Sequence, residues 1–175
     1  MFVCSMGDLF GPWVDEWIIN EVIQKCMSQE TRNYLFLTKN PRRYDTLPKR
    51  PSNFYYGTTI DSQARANDVS TTKVANLNFL CIEPILTEID LPGLLDAAPG
   101  IEWVILGTEN GNRKEKVIPD AQWIESISTT CFERGIPLFV KRGYVKDGEQ
   151  AYLRSIMGNA FRQEYPERMA GYKRC

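Results

Sequence analysis

Six short apolar runs mark this chain, and nearly every one gives way at its downstream end to a charged or polar residue. Phe2-Val3-Cys4 leads to Asp8, Tyr34-Leu35-Phe36-Leu37 to Thr38-Lys39, and Phe54-Tyr55-Tyr56 to Gly57-Thr58. Phe79-Leu80-Cys81-Ile82 leads to Glu83, Trp103-Val104-Ile105-Leu106 to Gly107 and Glu109, and Pro137-Leu138-Phe139-Val140 to Lys141. Short apolar runs without alternation suit strands of a parallel sheet buried on both faces. Ligands of such sheets gather at the carboxyl ends of the strands, so the polar residues that close the runs outline a pocket. Asn53 to Ile60 and Leu77 to Ile85 are the most strand-like segments.

The segments between the runs have helical period. Asp15 to Gln29 places Ile18, Val22 and Cys26 four residues apart with Trp17 alongside, which predicts a crossover helix. A second helix is predicted from Pro119, a residue suited to a first helical position, with Trp123, Ile124, Ile127 and Cys131 on one face and a stop at Gly135. Asp61 to Val69 and Leu91 to Ala98 read as two shorter helices, and Pro48 to Pro51 as a tight surface loop. Strand and helix in repeated order imply right-handed βαβ units. The fold class is therefore α/β, with five or six mostly parallel strands alternating with helices. Residues 1–144 are expected to form this domain. Residues 145–175 are expected to form a tail packed on it, weakly helical from Ala151 to Phe161 and otherwise with little structure of its own.

With 175 residues and 43% apolar content, the chain suffices for one domain with a substantial core. Its 21 basic and 22 acidic residues leave a net charge of -1, so no global field draws it to nucleic acid or to anionic membranes. No apolar run approaches the ~20 residues that span a bilayer, and the N-terminus lacks a secretory pattern. The expectation is a soluble, cytoplasmic protein. Histidine is absent, which excludes mononuclear zinc catalysis, His-based proton transfer and the Ser-His-Asp triad. Cys4, Cys26, Cys81, Cys131 and Cys175 lie 22, 55, 50 and 44 residues apart, a spacing that matches neither a disulfide framework nor a close-spaced metal motif.

The candidate ligand-binding residues are those that end the runs: Asp8, Lys39, Thr58, Glu83, Gly107, Glu109 and Lys141. Pro84 cannot donate a ladder hydrogen bond, so the strand before it ends there or lies at an edge. Glu83 either binds a ligand amine or hydroxyl or pairs with Lys39 or Lys141, because a buried charge needs a partner. The Gly107 to Gly111 loop either brings its backbone close to a phosphate or adenosyl group or is a plain strand-to-loop turn. Asp8 either orients a substrate or caps a turn. Lys39, Arg42, Arg43, Lys49 and Arg50 form a basic cluster that either meets nucleic-acid phosphates or is a solvated loop face. Cys81 is a nucleophile only if its thiolate is favoured and otherwise serves as a small buried hydrophobe. Trp13, Trp17, Trp103 and Trp123 read as core aromatics, Trp13 being the one expected nearest the surface.

Four ordered strings carry a family resemblance: Phe2 to Phe10, Leu37 to Arg43, Cys81 to Ile85, and Trp103 to Gly111. Together with Gly135 to Lys141 and Phe161 to Pro166, they resemble a radical-SAM-like family of phage and prophage proteins. The resemblance implies a partial (βα) barrel and S-adenosylmethionine as ligand. Members of that family usually begin with a further stretch that bears a close-spaced three-cysteine motif for an iron–sulfur cluster. This chain starts on what resembles a middle strand, so the resemblance implies a shortened form without the cluster. The leading functional expectation is a domain that binds a protein partner or a second copy of itself through open sheet edges. In a phage setting this would make it an inhibitor of a host enzyme or defence system, of the anti-CRISPR type. The alternative is a fragment that binds S-adenosylmethionine or a nucleotide and relies on a separate cysteine-bearing piece for radical chemistry.

Overall fold

The computed structural model describes residues 1–48, 50–109, 114–141, 158 and 161–169. Its strands are β1 (Phe2–Val3), β2 (Tyr34–Thr38), β3 (Phe54–Thr59), β4 (Phe79–Ile82), β5 (Trp103–Leu106) and β6 (Leu138–Val140). Each falls on one of the six apolar runs. The helices are α1 (Glu16–Met27), α2 (Gln63–Thr72), α3 (Leu91–Ala97) and α4 (Ala121–Glu133), with 3-10 turns at Pro41–Thr46 and Glu167–Met169. All six strands are parallel and lie in sequence order, β1 to β6, so every crossover moves one strand along in the same direction. The sheet is open, with β1 and β6 at its edges.

Same-handed crossovers between sequential neighbours place all helices on one face of the sheet, and the packing matches. Alternate residues Phe36, Phe54, Tyr56, Leu80, Ile82, Val104, Leu106 and Val140 form one core with Ile19 and Ile23 of α1, Val69 of α2, Leu94 of α3 and Ile124 and Ile127 of α4. The residues between them, Leu35, Tyr55, Phe79, Cys81, Trp103 and Ile105, form a second cluster to which none of α1 to α4 contributes and which Met169 closes. This inner face corresponds to the lumen of a closed barrel.

The C-terminal segment covers the lower part of this face and the β6 edge. Val140 N–H donates to Arg162 O at 2.9 Å, Glu164 N–H to Leu138 O at 3.0 Å, and Phe139 pairs with Gln163 in an antiparallel bridge. Tyr165 packs its ring 5.1 Å from Phe139 and 5.8 Å from Trp103, whose indole N–H donates to Glu164 O at 3.1 Å. The Arg168 guanidinium lies 4.8 Å above the Tyr55 ring and pairs with Glu102, which also pairs with Arg50. The chain's own C-terminal segment thus covers the β6 edge. The weak helix expected over Ala151 to Phe161 lies outside the described residues apart from Gly158 and Phe161.

Two local expectations shift. On α1 the buried face is Ile19, Ile23 and Cys26, one residue on from Ile18 and Val22, and Trp17 is 65% exposed. Trp103 is only 2% exposed and Trp13 is 75% exposed, in line with its expected place nearest the surface, so the core reading of the tryptophans holds for Trp103 and fails for Trp17. Helix α4 starts two residues after Pro119 because Asp120 takes the cap, its carboxylate accepting from Gln122 N–H at 2.8 Å. It stops before Gly135, which adopts φ +64°, a left-handed conformation that glycine tolerates.

Candidate functional site

Alternation along the strands continues past their ends and decides which closing residues share a face. Glu83 lies two residues beyond Cys81, Gly107 two beyond Ile105, and Lys141 two beyond Phe139, all on the inner face. The ladder persists through them, with Gly107 N–H donating to Ile82 O at 2.9 Å and Lys141 N–H to Leu106 O at 2.8 Å. Glu83 on β4 and Lys141 on β6 form an ion pair that spans the intervening β5. Gly107 makes this span possible. A Cβ at that position would lie 2.8 Å from a Glu83 carboxylate oxygen, so any side chain there would push the carboxylate off its path to Lys141. β4 ends at Ile82, before the cis Glu83-Pro84 bond.

The same edge carries a second pair at β2 and β3. Lys39, two residues beyond Leu37, has its ammonium 3.5 Å from the Asp61 carboxylate, with side-chain exposures of 59% and 23%. Asp61 was not among the residues singled out by sequence. It follows the β3 run by two positions, within a stretch that reads as the start of a polar helix. Its backbone O accepts from Leu86 N–H at 2.9 Å, tying the turn after β3 to the turn after β4. The carboxyl ends of the sheet thus present two cations and two carboxylates in two pairs, Lys39 with Asp61 after β2 and β3 and Glu83 with Lys141 after β4 and β6. This array suits a ligand that carries both charge signs.

Other sequence candidates have structural work. Asp8 accepts Phe10 N–H and Lys39 N–H, each at 3.0 Å, so its carboxylate clamps the loop after β1 to the end of β2. Thr58 is fully buried with the helix-side residues and its hydroxyl donates to Thr38 O at 2.9 Å, which takes it out of the inner-face row. Thr59, its neighbour, occupies the inner-face register instead. Glu109 accepts Val117 N–H at 3.2 Å and fastens the loop after β5; Asn110 and Gly111 lie outside the described residues.

The basic cluster divides. The Arg43 guanidinium donates to Gly11 O and Val14 O, both at 2.7 Å, and Arg50 donates to Phe54 O at 2.6 Å. These arginines hold loops together. Arg42 is exposed, and Lys49 lies outside the described residues. Burial pushes the Cys81 thiol up to about 12, with Glu83 adding to the shift, so the thiol stays protonated and packs as a hydrophobe. Burial likewise raises Cys131 to about 12 on the helix side. Among the described residues no group of three His, Cys, Asp or Glu side chains could hold a metal ion. The described cysteines therefore do not fit an iron–sulfur cluster. Among the same residues no helix is long and apolar enough to cross a membrane.

An open, singly wound parallel βα sheet, with α1 to α4 on one face and charged side chains at the carboxyl ends of its strands, defines the class: a partial βα fold. The family model described as "Protein of unknown function (DUF5131)" matches residues 1–169, and the chain belongs to that family. No curated protein and no solved structure matches the chain.

Proposed function

We propose that this protein binds a small, charge-separated adenosyl-type ligand, S-adenosylmethionine by resemblance, on the inner face at the carboxyl ends of its strands. The observation that carries the reading is the Glu83 carboxylate crossing over Gly107 to reach Lys141. Charged side chains on a carboxyl-end edge, above a face that is otherwise aromatic and aliphatic, match the usual make-up of a ligand site in parallel α/β sheets. S-adenosylmethionine carries an ammonium, a carboxylate and a sulfonium. Glu83 and Asp61 are complementary to its positive groups, and Lys141 and Lys39 to its carboxylate. When bound it would supply an electrophilic carbon at sulfur. The chain's own residues orient it, and the aromatic face beneath excludes water.

Equilibrium dialysis with labelled S-adenosylmethionine tests this. Binding by the wild type, weakened at least about tenfold in Lys141→Met and in Glu83→Gln, is the expected result, since each loses one charge-assisted contact of about 1.5–3 kcal/mol. Absence of binding by the folded wild type overturns it.

A second reading, partner binding in a phage inhibitor role, is favoured by the exposed Trp13, Trp17 and Met6, the last 99% exposed. The covered β6 edge removes part of its basis, leaving β1 as the edge unpaired among the described residues. Light scattering that gives a monomer would eliminate the homodimer form of this reading.

A further inference from the structure

A cleft of about 300 Å³ opens between the turn after β2 and helix α2, and its lining includes Lys39, Asn40, Arg42, Arg65, Asp68 and Thr72. We infer that this cleft binds the phosphate group of a phosphate-bearing ligand. The uncharged donors in it are already committed. The Asn40 amide donates to Phe10 O at 3.1 Å, and the Thr71 and Thr72 hydroxyls donate to Asp68 O at 3.0 and 2.6 Å. The groups left to meet a ligand are three cations, Lys39, Arg42 and Arg65, against the carboxylate of Asp68 in the lining and that of Asp61 beside Lys39, a local excess of one positive charge in a chain whose net charge is -1.

The internal ion pairs of these cations are loose and solvated. Arg65 stands 3.8 Å from Asp68, whose side chain is 73% exposed, and Lys39 stands 3.5 Å from Asp61 with 59% of its own side chain exposed. Exposed pairs of this kind contribute little, so a multiply charged anion displaces them at small cost. Two arginine forks and an ammonium match the oxygens of a phosphate, which carries up to about two negative charges near neutral pH. Arg43 does a different task in the same turn: its guanidinium is fixed to Gly11 O and Val14 O, anchoring the segment from which Arg42 projects into the cleft lining. Sequence reasoning grouped Arg42 with Arg43, Lys49 and Arg50. The fold instead groups Arg42 with Arg65, which is 23 residues further on and belongs to α2.

Glu83 and Lys141 do not line the cleft; Lys39 is common to both readings, so the test rests on Arg42 and Arg65, which the S-adenosylmethionine reading does not use. The test is calorimetric titration of the full chain with inorganic pyrophosphate, alongside Arg42→Gln, Arg65→Gln and, as a control, Glu83→Gln. Saturable binding that weakens with salt, falls at least about tenfold in each arginine variant and is unchanged in Glu83→Gln is expected. No saturation, or binding by the arginine variants as tight as that of the wild type, overturns the inference. Circular dichroism confirms that the variants are folded. A single-stranded oligonucleotide without a terminal phosphate, added in competition, separates the sources: displacement of pyrophosphate assigns the cleft to a nucleic-acid phosphodiester, and no displacement assigns it to a free phosphate ester. Either result leaves the phosphate assignment standing.

Discussion

The two faces of the sheet are made by the same six strands and end differently. On the helix side the residues stay apolar, or satisfy themselves on backbone, to the strand termini: Val140 and Leu106 pack under helices, and Thr58 donates to Thr38 O. On the inner side Cys81, Ile105 and Phe139 give way one register step later to Glu83, Gly107 and Lys141. The difference follows from the topology. Helices that return along one face bury that face from end to end, whereas the other is covered from below by Tyr165, Arg168 and Met169. Charge is retained on the face away from α1 to α4, where Glu83 and Lys141 pair and stay partly exposed.

Three changes sharpen that contrast. The largest effect is expected for Ile124→Ala on the helix side, fully buried between α4 and the sheet, which should lose about 2–5 kcal/mol in urea unfolding. A loss below about 1 kcal/mol would mean that the helix face is not packed as described. Next is Gly57→Ala on the inner face. The new Cβ would lie 2.2–2.4 Å from ring atoms of Phe79, a ring that packs 5.6 Å from Trp103. Overpacking of this kind costs about 1–3 kcal/mol, and Phe79→Leu in the same chain should recover part of it.

The third change uses pH, with one thiol on each face. Folded Cys81 and Cys131 keep their protons to about pH 12, while the unfolded chain releases them near the ordinary value of 9.0. Their contribution is complete below pH 9 and is lost as pH rises towards 12, by up to about 1.4 kcal/mol per pH unit for each thiol. Buried Tyr44 and Tyr56, also raised by burial, act in the same direction. Cys81→Ala and Cys131→Ala should each flatten the alkaline decline of stability. An unchanged slope in either variant would show that its thiol is not buried as described.

The strands were legible because each apolar run is bounded by turn or polar residues, and all six runs became strands. The faces were less legible. Phe54-Tyr55-Tyr56 is apolar on both sides, so nothing in the run tells that Thr58 joins the helix side and Thr59 the inner side. The doublets Ile18-Ile19 and Val22-Ile23 leave the buried stripe of α1 undetermined by one residue, and the sheet chose Ile19 and Ile23. Pairing of the tail with β6 runs through Arg162, Gln163 and Glu164, whose polar character carries no strand signal. In the site, Glu83 and Lys141 could be read as partners from their places after apolar runs. Asp61 and Arg65 could not, because the turns that bring them to Lys39 and Arg42 are tertiary.

The most direct test of the inner-face site is methyl NMR of isoleucine-labelled protein during titration with S-adenosylmethionine. Ile105 lies on the inner face two residues before Gly107, while Ile124 and Ile127 lie under the helices. The account predicts saturable shifts at Ile105 whose midpoint moves to at least about tenfold higher ligand in Lys141→Met, with Ile124 and Ile127 unmoved. Shifts confined to Ile124 and Ile127, or no shift at Ile105 at saturating ligand, would contradict it.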